Sequence, residues 1–264
     1  MMMTLVGSIN KDSAKWLIGW NDMLEEPGVK AVLFVRIGIQ MLQQFSGIHY
    51  YAPQILEQAG VGVILSNYIG IISESASILI SAFMTLLMLP AIAIAMRLMD
   101  ISGRRTLLLT TIPVLILTLV VLALFGGNIV DLGKVANAVV STVCVVAYSC
   151  FFVMGIGPVP GILCAEMFPT RVRGICITIC TMAFWIGDIV VTYTFPVMMS
   201  SIGLGAVFGL YAVVCVLSWF FVFKKVPETK GMSLEAISEF FSLGAKASTK
   251  ENDPIVASFV CIKT

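Results

Sequence analysis

The sequence predicts an all-α membrane protein with six crossing helices, and three observations predict it. Hydrophobic residues make up 59% of the 264 and charged residues only 12%, where a soluble domain carries about 25% charged residues. Mean hydropathy is +1.01, and the apolar residues gather in runs of roughly 20, the length that crosses a bilayer. Basic residues collect in alternate connections between those runs. A formal net charge of +1 gives no reason to expect a nucleic-acid surface.

In chain order, Met1 to Gly7 is too short an apolar run for a signal peptide. Asn10, Lys11, Asp12 and Lys15 follow it without a small-residue cleavage site. Residues 1–30 read as a polar lead-in, in which Trp16 and Trp20, one helical turn apart, suit either a short interfacial helix or a loose segment. The expected spans are 31–54, 73–99, 107–125, 135–164, 174–196 and 204–223, forming one half-domain over 31–225. Gly155, Gly157, Pro158, Pro160 and Gly161 predict a kink or unwound stretch in the fourth span. Such a break is tolerated where backbone faces a cavity or other protein. Residues 226–243 read as a short cytosolic helix and 244–264 as a flexible tail.

Charge sets the expected orientation. Lys30 and Arg36 stand at the first span, Arg97, Arg104 and Arg105 between the second and third, Arg171 and Arg173 between the fourth and fifth, and Lys224, Lys225 and Lys230 after the sixth. The opposite connections hold only Lys134. Both termini and both basic loops are therefore expected in the cytoplasm.

Asp100-Ile101-Ser102-Gly103-Arg104-Arg105 makes its two spans antiparallel neighbours, with Gly103 permitting the turn. The stretch from Glu166 to Gly174, with Arg171 and Arg173, has the same ingredients. Two readings stand: snorkelling topology signals, or a salt-bridge network of Asp100, Arg104, Arg105, Glu166, Arg171 and Arg173 that locks one conformation.

The first span carries Gln40, Gln43, Gln44, Gly47 and Tyr51 at i, i+3, i+4, i+7 and i+11, a polar stripe on an otherwise apolar helix. Lipid rejects such a stripe unless it faces partner helices or a wet cavity. Amides both donate and accept hydrogen bonds without charge, which suits a neutral polyol. Asp188, well inside the fifth span, reads as a structural hydrogen-bonding group, as part of a polar cavity or as a proton relay. Six of the seven cysteines sit in apolar runs and read as small buried thiols. With a single histidine, His49, neither a metal site nor a catalytic set is expected, and no cofactor is called for.

Gln43-Gln44-Phe45-Ser46-Gly47-Ile48 followed by Tyr50-Tyr51-Ala52-Pro53-Gln54-Ile55 resembles the seventh span of sugar porters in the major facilitator superfamily. Asp100 to Arg105 is similar to their D-x-x-G-R-R loop, Gly157-Pro158-Val159-Pro160 to the broken tenth span, Glu166 to Gly174 to E-x-F-P-T-x-x-R-G, and Pro227 to Gly231 to P-E-T-K-G. The entry Glu26-Pro27-Gly28-Val29-Lys30, the stretch from Gln54 to Gly60 and the ending Pro-Glu-Thr-Lys-Gly-Met look most like plant tonoplast monosaccharide transporters.

The resemblance implies the six-helix C-terminal half of a major facilitator superfamily transporter, with the lead-in as a remnant of the central cytosolic loop. It implies transport of a hexose such as glucose or fructose by alternating access, with no chemical step, as a half or truncated form. A second six-span half or a homo-oligomer would complete it, within a lipid bilayer, and protons would couple to transport in a complete two-half transporter. The vacuolar membrane is the implied location, with the plasma membrane as alternative. Gln43 and Gln44 would contact sugar hydroxyls, with Gln40, Tyr51 and Trp185 beside them. Gly161 replaces a tryptophan or asparagine of the family, so a side-chain contact is lacking there.

The chain departs from the family where His49 runs directly into Tyr50-Tyr51, three residues short. Three residues amount to about 300° of helical rotation, so the tyrosines fall out of phase with the glutamines unless the helix unwinds locally. His49 stands either as a packed residue or as a sugar-contacting or pH-sensing one. The competing class of function is a sensor or regulatory partner that binds sugar without moving it.

Overall fold

The computed structural model describes residues 27–47, 51–58, 73–127, 133–168, 172–226 and 228. Among them all regular structure is helical: α1 (Pro27–Phe45), α2 (Ala52–Gln58), α3 (Ser73–Ser102), α4 (Arg104–Gly126), α5 (Lys134–Met154), α6 (Val159–Met167), α7 (Arg173–Ile202) and α8 (Leu204–Lys225). The expected lead-in, surface helix and tail lie outside the described residues, apart from Glu228, which is not helical. Five helical stretches are long and apolar enough to cross a membrane, spanning α3, α4, the α5–α6 stretch, α7 and α8. The first expected span is α1 followed by α2. At 19 residues α1 extends ~28 Å, close to the hydrocarbon thickness, but three glutamines, Lys30 and Arg36 dilute its apolar character.

The chain divides into two compact units. One holds residues 1–38, 162–183 and 231–264, the other 39–161 and 184–230. In the larger unit α8 packs along α4, α4 on α5, and α5 on α3, while the short α2 sits against α3 and α5. The buried positions of α4, from Leu107 and Leu108 through Thr111, Ile112, Leu115, Thr118 and Leu119 to Leu122, follow one helical stripe. Leu117, Val120 and Leu124 on its other face are exposed, as befits contact with acyl chains. Small residues let α4 and α8 close up: a Cβ on Gly205 would come within 2.5 Å of the Gly127 backbone.

Polar groups in these helices bond locally. Thr111, Thr118 and Thr142 each donate to the carbonyl four residues back, which hides the hydroxyl from lipid. Prolines 113 and 196 lie inside α4 and α7. A helical proline cannot donate to the carbonyl four residues earlier. For Pro113 that carbonyl is Leu109, and Trp219 Nε1 of α8 donates to it at 3.3 Å. For Pro196 it is Thr192, and Tyr51 supplies the donor.

The interruption expected in the fourth span is present. The fourth span stops at Met154, turns through Gly155 to Pro158, and resumes as α6. In the first span α1 ends at Phe45 and helix is described again from Ala52, with 48–50 outside the described residues. Gly103 has φ +89°, as a tight inter-helix turn requires. Lys30 is exposed, but Arg36 is wholly buried in α1. It is therefore no interfacial topology mark.

Candidate functional site

The site is read from the break that follows α1. Gln43 and Gln44 occupy the last turn of that helix and are 8% and 2% exposed. Gln43 Nε2 donates to the Gly157 carbonyl at 2.8 Å, within the α5–α6 turn. Its Oε1 is buried and meets no hydrogen-bond partner among the described residues, and the same holds for Gln44 Nε2. One amide thus presents an acceptor and its neighbour a pair of donors. In an apolar surround such atoms are costly to leave unmade. A hydroxyl that both gives and takes a hydrogen bond satisfies either.

Glycine brings α7 close to these amides. A Cβ at Gly187 would lie 3.1 Å from Gln44 Cβ and 3.3 Å from Met41 Sδ. Asp188, the next residue, is half-buried, and Trp185 is 58% exposed with its ring edge-on to Phe184 at 5.5 Å. Gly161 is exposed, with open space where a side chain would project.

Neighbouring helices grip the chain beyond the amides. Tyr148 of α5 donates to the Ser46 carbonyl, and the Ser46 and Ser218 hydroxyls lie 3.3 Å apart. Tyr51 donates to the Thr192 carbonyl at 2.8 Å and stacks on Phe195 with centroids 4.1 Å apart. Phe195 in turn meets Tyr211 edge-on at 5.9 Å. The hydroxyl of Tyr51 is therefore committed to the protein. Gln40 is buried earlier in α1, and His49 lies outside the described residues.

At the α3–α4 turn the structure adds a residue that sequence reasoning placed in a surface helix. Glu228 accepts hydrogen bonds from the Arg104 amide (3.1 Å) and from the Thr106 amide and hydroxyl (3.3 and 3.4 Å). A carboxylate at a helix N-terminus satisfies free amides and opposes the helix dipole. The fit is close: a Cβ on Gly103 would stand 2.7 Å from the Glu228 carboxylate. Arg104 Nη1 donates to the Met99 carbonyl at 3.4 Å. Arg105 donates to the Phe223 carbonyl at 3.0 Å and covers the Phe223 ring. The signal for Glu228 was the first acid following the last span, in a chain whose Gly-Arg-Arg turn opens a helix.

The remaining residues of the expected lock are spread over both units. Asp100 is exposed on α3. Glu166 is half-buried in the last turn of α6, Arg173 Nε donates to the Phe168 carbonyl at 3.2 Å, and Arg171 lies outside the described residues.

Comparison with known proteins matches residues 2–241 to the family model described as Sugar (and other) transporter. Monosaccharide-sensing protein 2 of Arabidopsis thaliana is 66% identical over 230 residues, covering 86% of this chain and 31% of that protein. Monosaccharide-sensing protein 1 of the same plant is 64% identical over 231 residues, with the same coverage. The chain spans less than a third of the length of these relatives. Among solved structures, the major facilitator superfamily proton:xylose symporter XylE bound to 6-bromo-6-deoxy-D-glucose has a TM-score of 0.65 at 25% identity. That match covers 79% of this chain and 42% of the symporter.

Proposed function

Because the chain belongs to the sugar (and other) transporter family, whose members are transporters rather than enzymes, we propose that it supplies one half of a monosaccharide transporter. It is a multi-pass membrane protein with an all-helical fold of the major facilitator superfamily. In this reading it forms the C-terminal six spans, and a second six-span half or a second copy completes the path. A hexose such as glucose or fructose is exposed to each side in turn, with both termini in the cytoplasm. The vacuolar membrane is the proposed location, with the plasma membrane as alternative. A relative in the fold is a proton:xylose symporter, and proton coupling here is proposed for the complete two-half assembly.

The observation that carries the proposal is the pair of buried, unpartnered amide atoms, Gln43 Oε1 and Gln44 Nε2. A sugar hydroxyl would donate to the first and accept from the second. Gln44→Leu tests this, because the amide nitrogen it removes has no partner among the described residues. Stability of the full chain in lipid nanodiscs should stay level or rise, while hexose affinity by calorimetry should fall about 10-fold or more. Gln43→Leu should also lose affinity, but with reduced stability from the broken bond to Gly157. Unchanged affinity in both variants would refute the assigned site.

A second reading has its own support, since the plant relatives are named for monosaccharide sensing. The chain would then bind sugar, or regulate a longer relative, without moving solute. Counterflow in liposomes separates the two readings: a sensor binds hexose and exchanges none.

A further inference from the structure

Arg36 is 0% exposed, and its Nε, Nη1 and Nη2 are all buried without a hydrogen-bond partner among the described residues. A guanidinium stays charged in a protein, so a fold cannot relieve it by giving up the proton. Among the described residues of the same unit, Cys164, Cys180 and Glu166 lie within its electrostatic reach. Cys164 and Cys180 are buried thiols, and a neutral thiol is a weak acceptor that brings no opposite charge. Glu166 is the only acid among the described residues of that unit, and its carboxylate can balance the cation. It sits in the last turn of α6, half-buried. The nearby Arg173 has its Nε committed to the Phe168 carbonyl.

We propose that Glu166 is the counter-ion of Arg36, and that this internal ion pair ties α1 to the last turn of α6. The tie matters because α6 follows the α5–α6 turn and so lacks the helical continuity that would hold it in place. Arg36 thereby acts as a positioning residue. Both members of the pair lie in one unit. Nothing in the proposal depends on which solute the protein handles.

The two partners differ in what they leave behind. Without Glu166 the guanidinium remains buried and unpaired, the costly outcome. Without Arg36 the half-buried carboxylate can turn toward water. Thermal unfolding of the wild type, R36L, E166Q and R36L/E166Q in the same nanodiscs reads this asymmetry. E166Q should lower Tm by about 10 °C. R36L should lower it far less, and the double variant should melt close to R36L. An E166Q effect of equal size with Arg or Leu at position 36, or no effect in either background, overturns the proposal. If E166Q alone does not fold, recovery of a folded double variant is the expected rescue. Failure of that double variant while R36L folds counts against the pair.

Discussion

The two helix breaks of the larger unit are held in opposite ways. Between α1 and α2, side-chain donors hold the backbone: Tyr148 on the Ser46 carbonyl, the Ser46–Ser218 hydroxyl contact, and Tyr51 on the Thr192 carbonyl. Between α5 and α6 the chain is held by missing side chains. Gly155 lies where any Cβ would run into Thr111, and a Cβ on Gly157 would come within 3.2 Å of the Phe152 carbonyl. Gln43 joins the two, its amide reaching from the first break to the Gly157 carbonyl of the second. The first break is thus set by hydrogen bonds that can be made and unmade, the second by space. Of the two, the first is held by bonds that can exchange, while the second is held by contacts that a new side chain would break.

The largest expected effect tests the spatial half of that contrast. Gly155→Ala forces a methyl into Thr111, which cannot yield easily because it is buried and bonded to the Leu107 and Leu108 carbonyls. A loss of about 3 kcal/mol is expected in chemical denaturation, the upper end for overpacking. Thr111→Ala in the same chain should restore part of it, since the closest atom is removed but the Cβ of residue 111 stays 2.8 Å away, and Thr111→Gly should restore more of the clash energy. Wild-type stability in the single variant would show that the second break is not set by space.

Tyr51→Phe tests the hydrogen-bonded half and should cost less, about 1–2 kcal/mol. The ring stack on Phe195 survives, but the Thr192 carbonyl, already deprived of a helical donor by Pro196, is left bare in an apolar surround. Pro196→Ala returns a backbone N–H to position 196. In that background Tyr51→Phe should be nearly neutral. A cost that persists once the proline is replaced would show that the Tyr51 hydroxyl does something other than close the proline gap.

The legible parts of the sequence were those with a local physical cause. Five long apolar runs, the Gly-Pro break after Met154 and the positive φ of Gly103 each follow from residues near one another in the chain. The burial of Gln43 and Gln44 followed from the intolerance of lipid for amides. Other features needed the tertiary arrangement. Tyr51 was read as a sugar contact, yet its hydroxyl substitutes for an amide that Pro196, far along the chain, cannot supply. Arg36 was read as a topology signal because charge near a span end usually is one, and only packing reveals it as buried. Which face of α4 or α8 turns inward was equally hidden, since the lipid-facing side is as apolar as the core.

The smallest expected effect concerns the hydroxyl pair. Ser218 Oγ already donates to the Val214 carbonyl of its own helix at 2.8 Å, and its approach to Ser46 is longer, at 3.3 Å. Ser218→Ala therefore removes one weak inter-helix contact and should cost about 0.5–1 kcal/mol. Most of that arises because the fully buried Ser46 hydroxyl loses a partner. Removing both hydroxyls with Ser46→Ala in addition should be close to neutral, since no bare group remains. If the single variant instead costs more than Tyr51→Phe, the anchor of the first break lies at Ser46 and α8 rather than at Tyr51 and α7. The adjustable element would then be the end of α1 itself, beside the glutamines.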